Sequence, residues 1–255
     1  MQSKVEFTVA LVYEAAIKIR EMMHDDIKIE QKTSKSDLVT NVDKQTEVFL
    51  VEGINGMYEH QNFLTEEKTV ETHGLEDLWI IDPIDGTTNF IYQKKHFSIS
   101  VAHYNLGKPV FGVVYDVMAD NMYVGIVGDG AYLNGQKLAP LDQQQDLDTS
   151  VLTGDVYRPD LFRLTPAEMK PKFITHRFLG SGAIEICEVA AGNFQAYVFS
   201  KIKAWDIAAA VVLLECVGGT FYLGGQIDTL AMTNDAHVVI AASNPKVRDS
   251  LVACL

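Results

Sequence analysis

The chain is 255 residues long, 47% hydrophobic and 22% charged, and carries a formal net charge of -13 with a pI of about 4.9. A chain of that length buries about 70–75% of its unfolded surface in one large domain or two intimate ones, which excludes disorder. So acidic a surface excludes nucleic acid and anionic membrane as partners and leaves small molecules, with phosphates reached through a metal ion.

Val5, Val9, Val12, Ala16, Ile19 and Met23 recur at three and four residues and predict an amphipathic first helix with a core-facing stripe. Lys4, Glu6 and Glu14 interrupt this opening, so it lacks a signal-peptide core, and no charge-free run approaches ~20 residues. The expected compartment is cytoplasmic. Thr40-Asn41-Val42-Asp43 matches a capping box and predicts a second helix from Thr40 to about Gly53. The run Leu78-Trp79-Ile80-Ile81 predicts a strand that stops at Pro83, which has no N–H for a ladder. Phe97 to Tyr104, Val110 to Val117 and Met122 to Val127 predict three more strands in an antiparallel meander. Gly107-Lys108-Pro109, Asp120-Asn121 and Gly128-Asp129-Gly130 punctuate it, and Asn134-Gly135 adds a hairpin signal. The polar stretch Asp142-Gln143-Gln144-Gln145-Asp146 divides the chain into halves 1–145 and 146–255. Beyond it, strands at Ser150 to Thr153, Phe173 to Phe178, Tyr197 to Phe199 and Val238 to Ala242 alternate with helices near Ile184, Ile207 and Pro245. That alternation predicts α/β layering.

The stretch richest in chemistry is Asp82-Pro83-Ile84-Asp85-Gly86-Thr87-Thr88-Asn89. It sets two carboxylates at a strand end, followed by a helix start whose free N–H groups suit an anion. No Lys or Arg lies between Glu71 and Lys94, so a phosphate arriving here needs a mediating cation. Oxygen ligands without nearby Cys or His select Mg²⁺, Mn²⁺ or Ca²⁺, and the EF-hand alternation that calcium would favour is absent. An ordinary Asp-Gly turn with a Thr cap is the plain alternative. Further acidic positions lie at element ends. Glu66-Glu67 follow Phe63-Leu64-Thr65, Asp43 sits in the capping box, and Asp206 precedes the apolar run Ile207 to Leu214 that stops at Gly218-Gly219. A solvated pair accounts equally for the glutamates, and ordinary capping accounts for Asp43 and Asp206. Ends of elements are nevertheless where α/β folds gather their sites.

Leu38-Val39-Thr40-Asn41-Val42-Asp43, Glu66-Glu67, Trp79 to Phe90 and Trp205-Asp206-Ile207-Ala208-Ala209 resemble the signature blocks of the inositol monophosphatase family, in matching order from about Asp37 to Ala209. The resemblance implies a layered αβαβα sandwich with mixed and antiparallel sheets, commonly dimeric, that hydrolyses a small phosphomonoester with two or three Mg²⁺ ions, Mn²⁺ being an alternative. It implies that Glu66, Asp82 and the Ile84 carbonyl hold a first ion and that Asp82, Asp85 and Asp206 hold a second. Phosphate would lie against the Gly86, Thr87 and Thr88 amides, Asp43 would orient the Thr87 hydroxyl toward a metal-bound water, and Glu66 or the Thr87–Asp43 pair would assist as base. Gly180-Ser181-Gly182 reads as a glycine-rich helix start, and the resemblance sets it beside the alcohol portion of the substrate.

Two positions depart from the family pattern. Phe199 stands where inositol-specific members place a hydroxyl-binding Glu, and a phenyl ring accepts no such bond. Fructose bisphosphate, NADP, histidinol phosphate and adenosine bisphosphates therefore stay open as substrates, with Lys201 and Lys203 either favouring a more anionic one or simply solvated. Thr65 replaces the usual Gly before the glutamate pair. Other enzyme classes fail on spacing: Gly128-Asp129-Gly130 and Gly180-Ser181-Gly182 lack the third dinucleotide glycine, and no Walker, zincin or Gly-x-Ser-x-Gly motif occurs. Cys187, Cys216 and Cys254 are odd in number and widely spaced, so they read as thiols. A catalytically silent relative that binds metal or partner proteins is the alternative of another class.

Overall fold

The computed structural model describes residues 3–32, 38–158 and 161–255, and the Asp37 that opens the matching span lies outside them. In chain order the elements are α1 (Lys4–Met22), β1 (Ile29–Gln31), β2 (Leu38–Thr40), α2 (Asn41–Met57), β3 (Asn62–Thr65), β4 (Leu78–Asp85), α3 (Thr87–Tyr92), β5 (Ser98–Asn105), β6 (Lys108–Asp116), β7 (Asn121–Ile126), β8 (Gly130–Leu133) and β9 (Gln136–Lys137). There follow β10 (Val151–Gly154), α4 (Pro166–Met169), β11 (Thr175–Arg177), α5 (Gly182–Ala190), β12 (Ala196–Ile202), α6 (Ala204–Cys216), β13 (Thr220–Leu223), β14 (Gln226–Ile227), β15 (His237–Ala242) and α7 (Pro245–Val252).

Local chemistry starts the helices. Ser3 and Thr40 cap α1 and α2 through complete capping boxes, and the Thr40 hydroxyl accepts from the Val42 and Asp43 amides. Pro245 fits the first turn of α7, where its missing N–H costs nothing, and Asn244 caps that helix by accepting from the Val247 amide. Of the predicted stripe on the first helix, Val12, Ala16 and Ile19 are buried and Val5, Val9 and Met23 are half-buried, while Thr8, Leu11 and Ala15 widen the buried face.

Strands β3 to β9 form a seven-stranded sheet in sequential order, parallel only between β3 and β4 and an antiparallel meander from β4 onward. The second sheet has six strands in the order β11-β10-β12-β15-β13-β14 and mixes parallel with antiparallel pairs. Helices α5 and α6 lie between the sheets, α6 against β4 to β8 and α5 against β10, β12 and β15. Helices α1 and α2 cover the outer face of the first sheet, and α7 that of the second. This is the αβαβα sandwich. An all-round apolar sequence such as Ala204–Cys216 belongs in such a middle layer, and Ile207 to Leu214 are buried without exception.

Three expectations are corrected. The strand does not stop at Pro83: β4 runs to Asp85, and its pairing with β5 slips between Asp82 and Asp85, so Pro83 occupies an irregularity that asks for no ladder donor. The Phe173 to Phe178 strand shrinks to Thr175–Arg177, preceded by a 3₁₀ turn over Lys170–Lys172. The second helix continues past Gly53 to Met57.

Candidate active site

The slip in β4 turns Asp82 and Asp85 toward the same end of the sheet, with Ile84 buried between them. Asp82 Oδ1 accepts the Ile84 amide at 3.0 Å, which fixes the kink. Gly86 follows at φ 92°, a conformation that costs a side chain dearly, and its carbonyl accepts the Phe90 amide to open the six-residue α3. A Cβ on Gly86 would lie 3.1 Å from the His96 carbonyl and 3.2 Å from that of Gly180. The two glycine turns are therefore packed against each other.

Asp85 is tied across that contact. Its Oδ2 accepts the Ser181 hydroxyl and, at 2.8 Å, the Ala183 amide at the start of α5. Asp206 lies in the first turn of α6, where its Oδ2 accepts the Lys203 amide at 2.8 Å; it is the third helical residue, not the cap itself. Asp43 holds the corresponding place in α2. Its Oδ2 accepts the Thr40 amide at 2.9 Å, and its Oδ1 accepts the Thr87 hydroxyl at 3.2 Å. The Thr87 hydroxyl also stands 3.2 Å from the Ile84 carbonyl, so it chooses between two acceptors. Glu66 emerges from the end of β3, which runs parallel to β4 and so points the same way. Thr88 is exposed, whereas Ser181 and Gly182 are buried.

Two residues join the site without a sequence signal. Lys32 reaches Glu66 at 2.9 Å and Glu67 at 2.6 Å, so the acidic turn has a cation of its own brought from β1's flank. Burial alone would pull that ammonium down, but the two glutamates outweigh it and hold its pKa above the usual lysine value. Glu47, one turn beyond Asp43 on α2, accepts the Glu67 amide at 2.7 Å and the Thr69 amide and hydroxyl at 2.8 Å. It shapes the turn that presents Glu66.

The charges feel one another strongly. Burial raises Asp82 well above the usual carboxylate value, and Glu66, Asp85 and Asp206 push it further; Asp206 is raised in the same way by burial, Glu66 and Asp85. Burial lifts Asp85 to about 6 against the pull of Ser181 and the Ala183 amide, and lifts Asp43 to about 6 despite the bonds from Thr40. Four carboxylates with no Cys or His among them are the oxygen chemistry that suits a hard divalent cation, and like charges held this close gain from one. Among the described residues no three acidic, His or Cys side chains already close around a single point. Asp82, Asp85, Asp206 and Glu66 each have an oxygen engaged by a protein group, as given above.

A carboxyl whose folded pKa exceeds its unfolded value favours the fold below about pH 4, and that contribution is lost as pH rises through the folded value near 6, on the order of 3 kcal/mol for Asp85 alone. Without divalent cation, calorimetry should show Tm falling between pH 4 and 7. Mg²⁺ should raise Tm more at pH 7.5 than at pH 5. An equal rise at both would refute the coupling.

Aromatic rings pack near the Gly180-Ser181-Gly182 turn. Phe199 stacks on Tyr197 with centroids 6.2 Å apart and planes 8° from parallel, and a Cβ on Gly182 would meet the Tyr197 hydroxyl at 3.1 Å. Tyr197 thus connects Phe199 to the Gly180-Ser181-Gly182 turn. Lys203 sits over the Trp205 ring at 5.0 Å, and Lys201 is exposed.

Residues 1–254 match the family model described as the inositol monophosphatase family. The inositol-1-monophosphatase of Bacillus subtilis (strain 168) is 38% identical over 246 residues, which cover 94% of this chain and 91% of that protein. Among solved structures, inositol monophosphate bound SaIMPase-II is 33% identical at a TM-score of 0.79, covering 97% of this chain and 91% of that one. An IMPase/NADP phosphatase complexed with Mg²⁺ and phosphate is 26% identical at a TM-score of 0.84, covering 96% and 92%. With a family match along almost the whole chain and the fold shared as well, this chain belongs to the inositol monophosphatase family.

Proposed function

We propose that Glu66, Asp82, Asp85, Asp206 and the Ile84 carbonyl bind Mg²⁺ and that the chain hydrolyses a small phosphomonoester at this cage, as a phosphoric monoester hydrolase of its family. The observation that carries the reading is the gathering of Asp82 and Asp85 from β4 and Asp206 from α6 at one end of the sheet beside Glu66, which follows β3, with burial and the neighbouring carboxylates raising all three aspartates. Bound Mg²⁺ supplies Lewis acidity for a water nucleophile and charge for the phosphate oxygens. Everything else falls to the chain. The amides of Gly86, Thr87 and Thr88 face the phosphate from a preformed turn. The Thr87 hydroxyl, poised between Asp43 and the Ile84 carbonyl, orients the attacking water, and Asp43, raised to about 6, takes up proton density through Thr87. Glu66, paired with Lys32, is the second candidate base.

The division into halves 1–145 and 146–255 is part of the same proposal: the first carries Asp43, Glu66, Asp82, Asp85 and Thr87, and the second supplies Asp206 with the Gly180-Ser181-Gly182 turn. A homodimer is the state the resemblance implies, and the cytoplasm is the compartment expected from the charged opening of the sequence. No helix among the described residues is long and apolar enough to cross a membrane.

Phosphate release from a panel of inositol monophosphate, fructose bisphosphate, NADP, histidinol phosphate and adenosine bisphosphate, with and without Mg²⁺, tests the reading. Release from none would leave the catalytically silent relative. The Phe199 ring, stacked on Tyr197, offers no acceptor for a polyol hydroxyl. Phe199→Glu should therefore raise the kcat/KM ratio of inositol monophosphate over the preferred substrate by about tenfold, the worth of roughly one charged hydrogen bond. An unchanged ratio would count against Phe199 as a selector.

A further inference from the structure

Glu185 is a carboxylate that the proposed chemistry does not use, yet it is only 1% exposed in the middle layer. Its Oε1 accepts from three directions: the Thr153 hydroxyl, the Gly154 amide at 3.1 Å and the Leu179 amide at 2.8 Å. The first two belong to the end of β10 and the third lies immediately before the Gly180 turn. Its own amide donates to the Ser181 carbonyl at 3.0 Å. From the other side, the Asn89 amide group of α3 donates to the Leu179 carbonyl at 2.8 Å. The turn is thereby held at both flanks, and from its middle Ser181 and Ala183 reach Asp85. The Ser181 hydroxyl donates to Asp85 while accepting the Ile184 amide at 3.3 Å, so its rotation is settled.

From this geometry we propose, resting on the metal-binding reading above, that Glu185 is a positioning residue: by fixing the Leu179 to Ala183 segment it makes Ser181 and Ala183 hold Asp85 Oδ2, which leaves Oδ1 for the cation. A buried acceptor serving three donors is a costly thing to keep for packing alone, since an apolar residue of similar volume fills the layer with no charge to desolvate. The effect reaches the cage through groups that orient a ligand, and loss of such partners weakens metal affinity by about ten- to a hundredfold.

The test is Mg²⁺ titration by calorimetry on the full chain, well below Tm, for Ser181→Ala, Glu185→Ala and the double variant. Each single change should weaken Mg²⁺ binding about tenfold, and the double should stay within about twofold of Ser181→Ala, because both act along one path. Glu185→Gln keeps the accepting oxygen and should retain the wild-type affinity even where its Tm falls. Should Glu185→Ala not fold, Glu185→Asp replaces it, with the same loss expected as the carboxylate retreats by one methylene. Losses that multiply in the double variant, or wild-type affinity in a folded Glu185→Ala, overturn the inference alone. Failure of the wild type to take up Mg²⁺ overturns the metal-binding reading and the inference with it.

Discussion

Asp85→Asn should lower kcat/KM by roughly a thousandfold or more, since on the proposed metal-binding reading it removes one ligand charge and with it on the order of 4 kcal/mol of transition-state stabilisation. The fold should not suffer. Asparagine matches the shape of aspartate, and its carbonyl oxygen takes over the bonds from the Ser181 hydroxyl and the Ala183 amide. That choice sends the Nδ2 group, a pure donor, toward the place where the cation is expected. Burial raises Asp85 most, with Glu66 adding to it, so in cation-free buffer at pH 7.5 the variant should melt higher than the wild type. Loss of turnover with a gain in Tm is a pair of outcomes that general damage does not produce. Phosphate release and calorimetry on the same preparation read both, and wild-type rates in the variant would sink Asp85 as a ligand.

What could be read in advance was local. Thr40 to Asp43 declares a helix start because the bonds that make it span three residues, and the helix appears with both bonds of its capping box. Asp85-Gly86 declares a turn because Gly86 must take a positive φ. The meander from β4 to β7, and the hairpin at Asn134-Gly135 after it, were legible for the same reason: Gly, Asn and Asp punctuate the chain, and neighbours in sequence become neighbours in the sheet. Pro83 misled because a rule about ladders says nothing of where a ladder slips. Lys32, Glu47 and Glu185 were illegible on other grounds. Lys32 meets Glu66 across 34 positions of chain, Glu47 meets the Thr69 amide across 22, and Glu185 meets Thr153 across 32. Periodicity marks a polar residue on a helix as solvated, and only the packing of another element against it makes it a buried strut. The signal that could have exposed Glu185 was its place in Ile184-Glu185-Ile186-Cys187, a charge inside an apolar run.

A second large effect concerns the way α6 is seated. Gly112 of β6 faces the Ala209 backbone so closely that a Cβ there would lie 2.3 Å from its carbonyl oxygen, and Gly125 of β7 likewise faces the Leu213 backbone at 2.8 Å. Neither obstacle is a flexible side-chain end. Gly112→Ala must therefore lift α6 off the sheet, at a cost of about 3 kcal/mol or more for overpacking against backbone. For a chain of this size that corresponds to a Tm drop of roughly 6–12 °C. The consequence should extend to the site, because Asp206 sits in the first turn of α6 while Asp82 and Asp85 stay with the sheet. Lifting the helix draws Asp206 away from Asp82 and Asp85, so on the proposed metal-binding reading Mg²⁺ affinity should fall in protein that is still folded. Gly56→Ala is the control: it also exchanges Gly for Ala, but nothing lies within 4 Å of the new Cβ on α2, and helix propensity alone should add about 1 kcal/mol of stability. Denaturation midpoints for both variants, with Mg²⁺ titrations at 20 °C or so, decide the matter. A Gly112→Ala protein with wild-type stability would mean that α6 does not rest on β6 as closely as this, and the coupling between its seat and the cation cage would fall with it.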